Sequence, residues 1–122
     1  MTSRIGQWTL DVHDVQGMAQ FWAQALGYRA EVRPAGDAKL YPPDDAGPNA
    51  LTVWLQPTNH PKRDKNRNHP DLTTTGDVEA EVERLIGLGA RRADIGQTGD
   101  EGFVVLADPE GNEFCLLYRR PS

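Results

Sequence analysis

Hydrophobic and polar residues alternate singly from Gln7 to Asp14. Trp8, Leu10 and Val12 fall on one side, and Gln7, Thr9, Asp11 and His13 on the other. A period of two predicts a half-buried strand. The period then changes: Val15, Met18, Ala19, Trp22 and Leu26 recur at helical spacing and form one apolar stripe, which predicts an amphipathic helix. Asp14 stands where an N-cap belongs, and Gly27 where a helix ends in left-handed backbone. Residues 28–32 read as a second strand, 34–37 as a turn, 39–41 as a short strand, 42–49 as a surface loop and 51–56 as a further strand.

The same succession starts over in the second half. Residues 71–75 favour a strand, Asp77 caps a helix carrying Val78, Val82, Leu85 and Leu88, and Gly89 closes it. Residues 90–95, 103–107 and 114–118 supply strands, with Asp108-Pro109-Glu110-Gly111-Asn112 as the turn between the last two. The two capping aspartates lie 63 residues apart and the two closing glycines 62 apart. The expectation is an internal duplication of one unit, strand, helix and three strands, since a single unit cannot bury its helix face alone.

Composition narrows the function classes. The chain has 122 residues, 38% hydrophobic and 25% charged, with a net charge of -5. That length suits a single domain over residues 1–122, with module one at about 4–57 and module two at about 68–119. The acidic balance argues against a nucleic-acid partner. No apolar run reaches the ~18 residues of a membrane span, and residues 1–7 lack a signal peptide's apolar core, so no membrane partner and a cytoplasmic location are expected. Cys115 is the only cysteine, which excludes an intrachain disulfide and a Cys-rich zinc module. Residues 58–68 carry Lys62, Arg63, Lys65 and Arg67 against Asp64, a stretch expected to be solvated or paired with the chain's own carboxylates. His13 and His60 read as surface residues. No phosphate loop, nucleophile elbow or paired-histidine helix motif is present.

Particular stretches carry a family resemblance. Asp14 to Gly27, with Phe21-Trp22 and Ala25-Leu26-Gly27-Tyr28, resembles the first helix of the vicinal-oxygen-chelate superfamily, which includes glyoxalases, bleomycin-resistance proteins and extradiol dioxygenases. Lys65-Asn66-Arg67-Asn68-His69-Pro70-Asp71-Leu72 and Asp108-Pro109-Glu110-Gly111-Asn112-Glu113-Phe114-Cys115 resemble a largely uncharacterised glyoxalase-like branch. The resemblance implies an α+β fold of tandem βαβββ modules whose sheets curl into a cup, and a homodimer. The segment from His69 to Asp77 is one residue longer than the pattern, which implies a bulge there.

The resemblance also implies a site. The family's metal-ligand positions fall on Gln7, Gln56, His69 and Cys115. Two amides, one imidazole and one thiol make a poor set for a divalent metal, so none is expected as a cofactor. Strand periodicity adds Asp11 beside Gln7, Thr52 and Trp54 beside Gln56, Asp71 beside His69, and Glu113 and Leu117 beside Cys115. The other strand faces, with Trp8, Leu10, Val12, Leu51, Val53, Leu55, Phe114, Leu116 and Tyr118, are expected beneath the helices. Cys115 reads as a small buried residue rather than a nucleophile.

The expected function is a metal-free protein that binds a small organic molecule through Gln7, Asp11, Trp54, Gln56, His69, Asp71, Glu113 and Cys115. Trp54, with no evident packing duty, would be its main apolar contact. The alternative is a lyase, isomerase or dioxygenase-type enzyme, metal-dependent or using His69 and Glu113 as acid and base. A module with no ligand is the third reading.

Overall fold

The structure is a computed structural model that describes residues 2–94, 96 and 102–118. The chain divides into two compact units, residues 1–60 and 61–122. Among the described residues, the first unit contains β1 (Gln7–Val12), α1 (Val15–Leu26), β2 (Arg29–Val32), β3 (Ala38–Tyr41) and β4 (Thr52–Pro57). The second contains β5 (Asp71–Leu72), α2 (Val78–Leu88), β6 (Arg91–Arg92), β7 (Phe103–Ala107) and β8 (Glu113–Leu117).

Each unit forms one four-stranded mixed sheet, ordered β1-β4-β3-β2 and β5-β8-β7-β6. In each, the strand before the helix pairs in parallel with the last strand, and the other pairings are antiparallel. The tandem βαβββ architecture expected from the repeat is therefore present, with equivalent topology in both halves.

Local chemistry sets the helix limits. Asp14 Oδ1 accepts from Gly17 N at 3.0 Å, and Asp77 Oδ2 from Ala80 N at 2.9 Å. These bonds occupy backbone donors that a helix start leaves without intrahelical partners. At the other end of α1, Gly27 takes φ 72°, and Tyr28 N donates back to Ala23 O at 2.8 Å. Only glycine adopts that backbone without a Cβ penalty.

The first unit's core joins Met18, Phe21 and Trp22 of α1 to Val12, Leu40, Val53 and Leu55 of the sheet, all buried. Trp22 meets the edges of Trp8 and Phe21 at centroid distances of 5.0 and 5.1 Å, a favoured aromatic geometry. In the second unit Val82 and Leu85 of α2 are buried along with Leu106, Phe114 and Leu116.

Three sequence expectations are corrected. Strand β5 ends at Leu72 instead of running to residue 75. The Thr74 hydroxyl accepts from Gly76 N at 3.2 Å, a local turn that competes with the sheet ladder. Strand β6 covers only Arg91–Arg92 of the expected 90–95, although Ala93 N still donates to Val105 O at 3.1 Å. Ile95 lies outside the described residues. Tyr118, expected beneath a helix, is 46% exposed because β8 stops at Leu117.

The β7–β8 turn is organised by Asp108, which is fully buried. Its Oδ1 accepts from Glu110 N at 3.0 Å and Asn112 N at 2.9 Å, and both carboxylate oxygens accept from Asn112 Nδ2. Gly111 supplies the positive φ of 88°. This turn leads into the register Ala107↔Glu113 and Val105↔Cys115, which places two candidate site residues.

Candidate functional site

The first unit presents a polar sheet face. Register pairs Gln7 with Thr52, Thr9 with Trp54, Asp11 with Gln56, and Lys39 with Trp54. Residues opposite one another in neighbouring strands share a face. Gln7, Asp11, Trp54 and Gln56 are therefore brought onto one side, as the alternation predicts.

Two of these residues have partners that the strand pattern does not reveal. Gln7 Oε1 accepts from Lys39 Nζ and, at 3.2 Å, from Thr52 Oγ1. Trp54 Nε1–H donates to Asp37 Oδ2 at 2.7 Å. The Lys39 ammonium lies 5.3 Å from the Trp54 ring centroid, within cation–π range. Trp54 thus has a fixed structural duty, contrary to the sequence reading. Its ring stays half-buried.

Asp37 is the hub of this network. It is buried, and its carboxylate also accepts from the Arg33 guanidinium through Nε and Nη2. The Arg33 hydrogen bonds, then the Trp54 N–H, hold its pKa down to about 2. Charge-assisted donors stabilise a carboxylate in this way. Sequence reasoning missed Arg33, Asp37 and Lys39. The turn signal at residues 34–37 was legible, but not that its last side chain reaches back to β4.

In the second unit, His69, Asp71 and Cys115 converge. Their ligand atoms lie within 4.8 Å of one another. His69 Nδ1 is 3.5 Å from Asp71 Oδ1 and 4.0 Å from Cys115 Sγ. Two features bring them together: Asp71 pairs with Cys115 in the β5–β8 ladder, and Cys115 N donates to Pro70 O at 3.0 Å. Burial, then the Asp71 charge and hydrogen bond, push the Cys115 thiol up to about 11. The group is a protonated thiol at neutral pH and a poor nucleophile, in keeping with the sequence reading.

Glu113 is tied to a different partner. Lys62 Nζ lies 2.7 Å from its Oε1, and Asn66 N donates to its Oε2 at 3.1 Å. Burial alone would raise its pKa, but Lys62 and the backbone donors outweigh that and leave it lowered. One cation of the basic stretch thus pairs with the chain's own carboxylate, as expected. Lys62 was not foreseen as Glu113's partner, since 51 residues separate the two. His13 and His60 are exposed, and His13 Nε2–H donates to the His60 carbonyl at 2.6 Å.

The family-implied ligand positions are only partly realised as a donor set. His69 and Cys115 come together, with Asp71 as a third donor. The Gln7 amide oxygen is already engaged by Lys39 and Thr52. An imidazole, a carboxylate and a thiol form a mixed N, O, S set. Such a set fits a borderline ion of the Zn(II) type and not an oxygen-preferring ion such as Mn(II).

Two tandem βαβββ modules, each with one mixed four-stranded sheet, define an α+β fold class. Residues 7–117 match the model of the glyoxalase-like domain, and the chain belongs to that family. No curated protein sequence matches it. Among solved structures, it resembles a fosfomycin resistance protein, FosX, from Listeria monocytogenes, described with Mn(II) and dihydroxypropylphosphonic acid. That match has a TM-score of 0.74 at 18% identity, covering 98% of this chain and 93% of the other. FosX from Mesorhizobium loti matches at a TM-score of 0.73 and 15% identity, covering 98% and 94%. A glyoxalase/bleomycin resistance protein/dioxygenase family enzyme from Burkholderia phytofirmans matches at 0.66 and 16%, covering 93% and 97%. At these identities the likeness concerns the fold.

Proposed function

We propose that this protein binds a small organic molecule on the polar sheet face of its first unit, and that it needs no metal to do so. The observation that carries this reading is the mounting of Trp54. Its N–H is anchored on the buried Asp37, while its ring remains half-buried in a row of polar side chains, Lys39, Gln7 and Thr52 among them. A rigid indole flanked by an ammonium group suits a flat ligand with an anionic or hydrogen-bonding edge. Gln56 and Asp11 extend the same face.

The test is a thermal-shift screen of aromatic and heteroaromatic acids on metal-free protein, followed by fluorescence titration of the hits. Trp54→Ala should weaken binding by roughly 5-fold to 100-fold, the range for losing an aromatic platform. Unchanged affinity in that variant would reject the site.

A second reading, a metal-dependent enzyme, is favoured by one observation, the His69–Asp71–Cys115 cluster. The FosX neighbour described with Mn(II) lends it fold-level support only. Metal analysis of the purified protein separates the two readings. About one equivalent of bound metal, lost in His69→Ala, would favour the enzyme. Acid–base chemistry through His69 and Glu113 is the less supported variant, because Glu113 is held ionised by Lys62.

A further inference from the structure

We infer that the polar face of the first unit takes an aromatic monocarboxylate, whose head group is received by the Lys39 ammonium and the Gln7 side-chain amide beside Trp54. The inference rests on the ligand reading above and deepens it, by committing to one head group and one charge.

Three observations carry it. The first is an ammonium without a counter-ion. Lys39 is half-buried. Glu31 stands directly opposite it in the β2–β3 ladder, where opposite charges ordinarily pair. The Glu31 carboxylate is instead 3.7 Å from Arg29. Asp37, two positions before Lys39, is taken by Arg33 and Trp54. Among the described residues, Lys39 forms no ion pair with a carboxylate. Its contacts are a neutral amide oxygen, Gln7 Oε1, and the Trp54 ring with its centroid 5.3 Å away. Leaving water without an opposite charge is costly for an ion, and a bound anion relieves that cost.

The second is the orientation of Gln7. An ammonium can only donate, so Lys39 fixes the amide with Oε1 toward itself, and Thr52 Oγ1 donates to the same oxygen at 3.2 Å. Nε2 is thereby set as a donor close to the ammonium. Among the described residues, nothing accepts from it. The hydrogen-bonding groups that Lys39 and Gln7 still have to offer are thus all donors. Such a pair repels a cation and suits the two acceptor oxygens of a carboxylate. A carboxamide has one acceptor oxygen and turns an N–H against the second donor.

The third is charge balance. Arg29 and Arg33 are opposed by Glu31 and Asp37, which leaves Lys39 as one positive charge in excess. Asp11, the other acid that alternation puts on this face, stands four positions along β1 from Gln7, about 13 Å at the rise of a strand. One excess charge selects a monoanion. A carboxylate neutralises it, whereas a phosphate monoester dianion would leave a negative charge unmatched.

The experiment is calorimetric titration of metal-free protein with two matched series: benzoate, benzamide and phenyl phosphate, and naphthoate, naphthamide and naphthyl phosphate. Thermal melting shows that each variant is folded. In the series that binds, the acid should bind about tenfold or more tightly than its amide, and the phosphate no more tightly than the acid. Lys39→Met should bring acid and amide within about threefold of one another. Gln7→Glu sets a carboxylate on the ammonium from within. It should abolish the preference for the acid while melting no lower than wild type, which damage to the fold would not do. Acids and amides that bind alike, both weakened in Trp54→Ala, would overturn this inference and leave the ligand reading standing. A preference for the acid that survives in folded Lys39→Met or Gln7→Glu would also overturn it, as would a phosphate that binds about tenfold more tightly than the acid. Binding of none of the six compounds at about 5 mM would overturn both.

Discussion

The Trp54 indole N–H donates to Asp37 Oδ2 at 2.7 Å, joining β4 to the turn before β3. The carboxylate that receives it is buried and also bound by Arg33. One residue thus serves the fold through its nitrogen and offers the proposed ligand its ring. Trp54→Phe separates the two duties better than Trp54→Ala, since it keeps an aromatic ring while removing the donor. Trp54→Phe should lose about 1–2 kcal/mol of stability and Trp54→Ala about 2–4 kcal/mol. Urea unfolding gives both values. No loss in Trp54→Phe would mean that the indole nitrogen contributes nothing.

Asp37 sets an acid limit on the first unit. Arg33 and Trp54 lower its folded pKa from 3.8 to about 2. A depressed carboxylate pKa stabilises the fold above the unfolded value, and that contribution is lost as pH falls from about 4 to about 2. Urea midpoints measured across that range should fall steeply for wild type. Asp37→Asn should be less stable at neutral pH and show a shallower fall over the same interval. A parallel pair of curves would dissociate Asp37 from the acid response.

Cys115 should react slowly with iodoacetamide at neutral pH. Its thiol is pushed up to about 11 by burial and by Asp71, and the thiolate is the nucleophile. The rate should climb about tenfold per pH unit through the mildly alkaline range. Asp71→Asn removes a negative neighbour, lowers the thiol pKa and should speed alkylation several-fold at pH 8. Slower alkylation in that variant would contradict the assigned pairing.

The Lys62–Glu113 pair secures the basic stretch before β5. With side chains 24% and 10% exposed, it is shielded enough to matter, unlike a surface pair. Glu113→Gln removes the charge that holds Lys62, while the amide oxygen can still accept from Asn66 N. Limited trypsin digestion at Lys62, Arg63, Lys65 and Arg67 should quicken about fivefold or more in Glu113→Gln. Cleavage at the wild-type rate would show that the loop is held by other contacts.

The sequence by itself determined the repeated βαβββ order, the helix limits and the division of each strand into two faces. These follow from periodicity and from capping chemistry confined to a few neighbouring residues, as at Asp14–Gly17 and Asp77–Ala80. It also placed Gln7, Asp11, Trp54 and Gln56 on one face, because alternation along a strand is local. Tertiary structure alone decided what those residues touch. The Asp37–Trp54 bond spans 17 residues, Lys39–Gln7 spans 32 and Lys62–Glu113 spans 51. No local period encodes such a separation. Only strand register and loop path bring these groups within a few ångströms, where Asp37 and Glu113 meet the donors that lower their pKa.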